Sequence, residues 1–295
     1  MRRASLTCIV LAATCIALAA CGAATRPPVT REASVEELAR TRCALDGRET
    51  ITAWTGTVYA CGTGEPPRAL FGLAGVNVAR CIRDGTGWHL TSRELMLYLD
   101  PATGAPLARW TNPFTGATVP VVHVANARVQ STLAGAPVAI ADGIATFVLD
   151  IPIAYPNPLA GDPATRAYSP AARYEAGEMF TLAAPAEAVT GAAPTVPWLQ
   201  LTWHRVGPWL PWMAMGDRPG WLVYSAHGRR VSSLDELPPA LRDVIARVPL
   251  YAHAPRCIVP GRNITSWTYF AAHLAEYQAG AAFPVPETAT NECAR

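Results

Sequence analysis

Arg205 is the side chain in greatest need of a chemical explanation. Side chains alternate between the two faces of a strand. On a strand predicted over 198–206, Arg205 therefore shares a face with Leu199, Leu201 and Trp203. A charge on an apolar stripe needs a partner. Glu94 or Asp150 would supply one, unless Arg205 snorkels at the strand end beside Pro208. The loop that follows reads Gly207-Pro-Trp-Leu-Pro-Trp-Met-Ala-Met-Gly216. Aromatic rings with polar edges suit a concave ligand site, and methionine makes such a wall adaptable. The same loop could instead plug a barrel end with its own side chains. The candidate site is Arg205, Trp209, Trp212 and Met215, with Glu94 and His123 near the polar end. An anionic aromatic ligand would suit it, because a fixed guanidinium takes a carboxylate through paired hydrogen bonds. If the cavity catalyses, His123 or His204 is the candidate base.

Other chemistries are less supported. The six histidines show no metal-binding spacing, so no metal and no cofactor are expected. No G-x-S-x-G, Walker or dinucleotide glycine motif is present. The chain has no lysine, which removes Schiff-base chemistry and a P-loop lysine. No basic stripe points to nucleic acid.

The elements that position these residues read mainly as strands. Ser34 and Glu37 form a capping box that opens a helix over about 35–44. Strands are predicted over 49–60, 71–82, 143–153, 178–184, 198–206 and 220–226. Two turn signatures, Asp100-Pro-Ala-Thr-Gly104 and Asn112-Pro-Phe-Thr-Gly116, lie twelve residues apart. Each has proline to set φ and glycine to take positive φ. They predict a three-strand antiparallel meander of 93–99, 105–111 and 117–126. Helices are expected near 237–248 and 267–279, the second ending at Gly280. Hairpin spacing with few helices argues for one antiparallel β-barrel, closed in the lipocalin or calycin manner, with flanking helices. A two-sheet sandwich is the alternative.

The N-terminus supplies the location. Arg2 and Arg3 precede an apolar run ending in Leu18-Ala-Ala-Cys21. This resembles a bacterial lipoprotein signal, which implies acyl chains such as palmitate on Cys21 as the first mature residue. Gly22 after the cysteine implies outer-membrane sorting, facing the periplasm. The organisation expected is a signal peptide at 1–20, a flexible tether at 21–33, one barrel-like domain at 34–280 and a loose tail at 281–295. Without Arg2 and Arg3, basic and acidic residues balance at 22 each. Cys43, Cys61, Cys81, Cys257 and Cys293 remain for disulfides in an oxidising compartment. Their number is odd, so one thiol is free or pairs between chains; sequence does not fix the pairing.

Several stretches together carry a family resemblance. They are Glu94 to Tyr98, the two turn motifs with Trp110, Val121-Val-His-Val-Ala-Asn126, the Pro-Trp loop, and Asn263-Ile-Thr-Ser-Trp267. The set resembles the bacterial family catalogued as domain of unknown function 1838, over about residues 35–280. The resemblance implies no activity and no catalytic residue. Three readings follow. One is a lipid-anchored protein binding a small apolar or aromatic ligand. Another is a cofactor-independent lyase, isomerase or hydrolase using the same cavity. The third is a structural envelope component with a filled barrel. The oligomeric state is not legible.

Overall fold

The computed structural model describes residues 28–261, 263–286 and 293. The chain is mainly β, with 45% strand and 19% helix, and its dominant feature is a curled ten-stranded antiparallel sheet forming a half-barrel. The strands are β1 (Val29–Ala33), β2 (Thr50–Gly62), β3 (Arg68–Asp84), β4 (Gly87–Leu99), β5 (Arg109–Thr111), β6 (Thr118–Pro120), β7 (Val124–Thr132), β8 (Ala136–Ala141), β9 (Ile144–Pro156), β10 (Arg173–Pro185), β11 (Gln200–Gly207) and β12 (Gly220–Val231). The sheet order is β1-β8-β9-β10-β11-β12-β2-β3-β4-β7, and β5 and β6 form a separate ribbon. Short helices flank the sheet: α1 (Val35–Arg42), α2 (Pro163–Arg166), α3 (Ala186–Thr190), α4 (Pro239–Arg247), α5 (Ser266–Ala272) and α6 (Leu274–Gln278).

Alternation explains the curl. On the concave face stand Trp54 and Val58 of β2, Phe71 and Leu73 of β3, and Met96 and Tyr98 of β4, together with Trp203 of β11 and Tyr224 of β12. Trp54 can lie flat only because Gly75 has no side chain. A Cβ there would sit 2.3 Å from the indole ring, well inside contact distance. The opposite face of β3 and β4 carries Val76, Val78, Leu95 and Leu97, all buried. Leu241 and Ile245 of α4 and Tyr251 cover it, so these strands read as nearly continuous apolar runs.

The predicted helix cap forms: Ser34 Oγ accepts from the Glu37 amide, and Glu37 accepts from the Ser34 amide. Both turn glycines take positive φ, 70° at Gly104 and 75° at Gly116. The three-strand meander does not form. The middle segment contributes one bridge, Leu99 to Pro106, then pairs Arg109–Thr111 with Thr118–Pro120 outside the main sheet. Strand β4 pairs instead with β7. Pro106 and Pro120 lack the amide that a ladder requires, which shortens both pairings.

Val29–Ala33, in the segment read as tether, pair along their whole length with β8. In the segment read as tail, Phe283 is buried against Tyr269 and Phe270. Disulfides join Cys43 to Cys81 and Cys257 to Cys293, leaving Cys61 free among the described residues.

The half-barrel is bridged by a helix where strand pairing stops. Strand β8, paired with β1 on one side, meets on the other only Ile144–Phe147 of β9. Across the gap, Ile264 bridges Arg128 of β7, and Trp267 of α5 packs on Tyr174 of β10 with ring centroids 6.4 Å apart.

Candidate functional site

The concave face gathers charges that the surrounding apolar rows do not explain. Arg205 of β11 lies opposite Glu178 of β10 in register, and Nη1 donates to Glu178 Oε1 at 3.4 Å. Nη2 donates to the Tyr174 hydroxyl. The guanidinium stands 5.6 Å from the ring centroids of both Tyr174 and Tyr224, an arrangement that adds cation–π attraction. Its Nε has no hydrogen-bond partner among the described residues. Tyr224 Oη lies 3.3 Å from Tyr98 Oη.

Glu94 of β4 completes the group. Asn126 Nδ2 donates to Glu94 Oε2 at 2.7 Å. The amide's orientation is fixed from behind, since Asn126 Oδ1 accepts from the backbone amide of Ser266 at 2.7 Å and from its hydroxyl at 2.8 Å. That hydroxyl in turn accepts from the Ala125 amide. Burial, reinforced by the Glu178 charge, pushes the Glu94 carboxyl up to about 7, although Asn126, Arg205 and Arg42 oppose the shift. Burial also raises Glu178, against the pull of Arg205 and Arg42. The Arg42 guanidinium, from the end of α1, lies 5.8 Å over the Phe180 ring. Tyr224 is pushed up to about 12, mainly by burial. These groups keep solvent access: the side chains of Arg205 and Glu178 are 18% and 19% exposed. The pair is thus half-buried, beside the buried Trp203 and Tyr224.

The other residues singled out from the sequence fall at distinct places. Trp212 is buried, packed against Phe71, Tyr98 and Trp110 within 5.6–6.0 Å. It fills one end of the half-barrel. Met215 is buried and takes Asn112 Nδ2 on its sulfur at 3.2 Å. Trp209 is half-buried, donates to the Arg218 carbonyl, and lines a cleft of about 640 Å³ with Tyr174, Gly207 and Trp221. Arg205 and Trp209 therefore lie against two sides of Tyr174's neighbourhood. His123 is buried behind Tyr98, whose amide donates to its Nδ1 at 3.1 Å. Burial, with the Arg247 charge, lowers it to about 4, so the ring is neutral. His204 alternates with Arg205 and faces the convex side, between Met179 and Ser225. Asp150 also faces outward, opposite Met179. The partner of Arg205 is thus Glu178. Cys21 lies outside the described residues.

Sequence reasoning missed Glu178, Tyr174, Tyr224, Asn126 and Arg42. Glu178 stood at the start of a predicted strand, but its meeting with Arg205 depends on a register that no local pattern encodes. Among the described residues, no cluster of three or more His, Cys, Asp or Glu could hold a metal ion.

A family model described as protein of unknown function, DUF1838, matches residues 47–274. The chain belongs to that family. No curated protein matches it in sequence.

Proposed function

We propose that this protein is a lipid-anchored envelope protein, held through Cys21 in the outer membrane and facing the periplasm, whose half-barrel takes up a small aromatic ligand bearing an anionic group. The observation that carries the reading is the setting of Arg205. Its guanidinium stands over two tyrosine rings, and it keeps an N–H without an acceptor on a side chain that is 18% exposed. Buried donors are ordinarily paired. The Trp54 indole N–H, on the same concave face, likewise lacks a partner among the described residues. A ligand carboxylate or sulfonate would meet Arg205, and the aromatic walls would meet its ring. Closure in the lipocalin or calycin manner is part of this proposal, with α5 taking the place of missing strand pairs. Trp212 plugs one end, as a filled structural barrel would require, but the partial exposure of the Arg205–Glu178 pair favours a binding site.

The test uses anilinonaphthalene sulfonate, an aromatic anion, titrated while tryptophan fluorescence is followed. The wild type is expected to bind saturably. Arg205→Met is expected to weaken binding by about tenfold or more, the loss of one charge-assisted hydrogen bond. Thermal melting run in parallel shows whether the fold is kept, and Arg205→Lys serves as the charge-retaining control. Equal affinity in a folded Arg205→Met variant would refute the reading.

A further inference from the structure

We propose that the cleft beside Trp209 is a docking site for an extended peptide segment of another protein. The segment adds as a short antiparallel strand to the open edge of β10. It sets a basic residue against Glu175 and Trp221 and, two positions on, an acidic residue against Arg173. The inference does not rest on the ligand reading of Arg205.

The open edge follows from register. In an antiparallel ladder, successive residues turn their N–H and C=O groups to opposite neighbours. Pro152 and Pro156 of β9, which have no N–H, lie opposite Gly177 and Arg173. The Asn157 amide donates to the Ala172 carbonyl at 2.9 Å. Ala172, Tyr174 and Ala176 therefore bond towards β9, while Arg173, Glu175 and Gly177 turn their groups the other way. On that other side, β11 takes Gly177 through Val206 and pairs no further. The same register would set Pro208 opposite Glu175. Proline has no N–H to give, the chain turns aside there, and no backbone hydrogen bond joins Pro208 to Glu175.

The place that β11 vacates is the cleft of about 640 Å³, lined along one side by Arg173 to Gly177 and elsewhere by Pro208, Trp209 and Trp221. Trp209 closes the β12 side. Its ring covers Gly220, where a Cβ would come within 2.5 Å, and its Nε1 donates to the Arg218 carbonyl at 2.9 Å. Nothing comparable covers β10, so an added strand would find the free groups of Arg173 and Glu175 in line. This is the way an extended peptide joins a sheet edge, with main-chain bonds for affinity and side chains for selection.

Charge selects the segment. Arg173 and Glu175 share the convex face, 55% and 71% exposed, and pair only loosely with each other at 3.6 Å. Charges on an edge ordinarily discourage pairing; here one of each sign admits a strand carrying the opposite signs in order. The pairing of Gly207 with Leu222 sets the vacated place opposite Glu175 next to Trp221, which is 44% exposed. A guanidinium there would meet the Glu175 carboxylate and the indole face together. The intervening residue points to the other face, beside Tyr174 and Gly207, and is apolar.

The probe is the amidated peptide Thr-Arg-Val-Glu-Thr carrying an N-terminal fluorescein, followed by anisotropy. The wild type is expected to bind it saturably. N-methylation of the peptide's arginine or glutamate, whose amides face β10, is expected to weaken binding by about tenfold or more, the loss of one hydrogen bond and its geometry. N-methylation of its valine, whose amide faces away, is expected to leave binding nearly unchanged. On the protein side, Glu175→Pro removes the amide that faces the cleft and spares the bonds to β9. It is expected to bind more weakly than Glu175→Gln, which loses the charge alone, with melting curves showing that both are folded. The methylated peptides test the wild type, so the answer does not depend on either variant folding. The absence of saturable binding, or equal losses from methylation at all three positions, would overturn the docking site. Neither outcome bears on dye binding at Arg205.

Discussion

A single buried carboxyl lets stability be read against pH. Glu94 has its folded value raised from 4.5 to about 7, first by burial and then by Glu178. The folded protein therefore holds this proton more tightly than the unfolded chain. The stabilisation is complete below about 4.5 and is lost as pH rises through about 7. The ionised form costs roughly 2–3 kcal/mol, taking about 1.4 kcal/mol per unit and discounting for the side chain's partial exposure. His123 acts in the opposite direction. Burial lowers it from 6.5 to about 4, so its neutral ring gives full stability above about 6.5 and loses it as pH falls toward 4. The two slopes oppose one another between 4.5 and 6.5, and the Glu94 contribution separates cleanly only when variants are compared. Glu94→Gln keeps an oxygen for Asn126 and removes the charge. It is expected to melt above the wild type at pH 8 and to lose that advantage below pH 5. A difference in melting temperature that stays constant with pH would contradict the burial of Glu94.

At the scale of elements, the two turn motifs test how local chemistry sets strand ends. Asp100 accepts from the amides of Ala102 and Thr103, and Asn112 accepts from those of Phe114 and Thr115. Gly104 and Gly116 then donate back to the Asp100 and Asn112 carbonyls at 2.8 Å. Nothing lies within 4 Å of a Cβ built at Gly116, so substitution there meets no clash and isolates the backbone strain. Gly116→Val is expected to cost about 1–2 kcal/mol, because a β-branched residue at positive φ is disfavoured. That lowers the melting temperature by a few degrees in a domain of this size. An unchanged melting curve would mean that the turn relaxes freely. These turns were legible because their chemistry is local: Asx, Pro and Gly at fixed offsets. The capping box at Ser34 and the alternation of β11 were legible for the same reason. The pairing of β4 with β7 was not, since a ladder needs two partners and the intervening prolines turn the middle segment aside. Arg205 stood out as a misplaced charge, yet Glu178 did not, because a cross-strand partner is decided by register across the connection from β10 to β11. Glu94 was singled out as a partner for Arg205, and its own amide support from Asn126 and Ser266, more than 130 residues apart in sequence, left no local trace.

At the scale of the molecule, the attachment proposed for this protein has one source. Among the described residues no helix is long and apolar enough to cross a membrane. Basic and acidic residues balance once Arg2 and Arg3 are set aside, so no net charge draws the domain to an anionic surface. The proposed anchor is Cys21, where two or more acyl chains would each add about 0.8 kcal/mol per buried methylene, enough for stable anchoring that a single chain does not reach. The sheet constrains what that anchor can do. Strand β1 begins at Val29 and is paired with β8 at five consecutive positions. The seven residues between Cys21 and Val29 can extend at most about 25 Å. The β1–β8 edge of the half-barrel is then kept near the lipid headgroups, while the rest of the sheet curls away from that fixed edge. Cys21→Ser removes the acceptor for the lipid and leaves β1 and its pairing untouched. In fractionated cells the wild type is expected to sediment with membranes and the variant to move to the soluble periplasmic fraction with an unchanged melting temperature. If the variant still sediments fully with membranes, lipidation of Cys21 is not what holds the protein there.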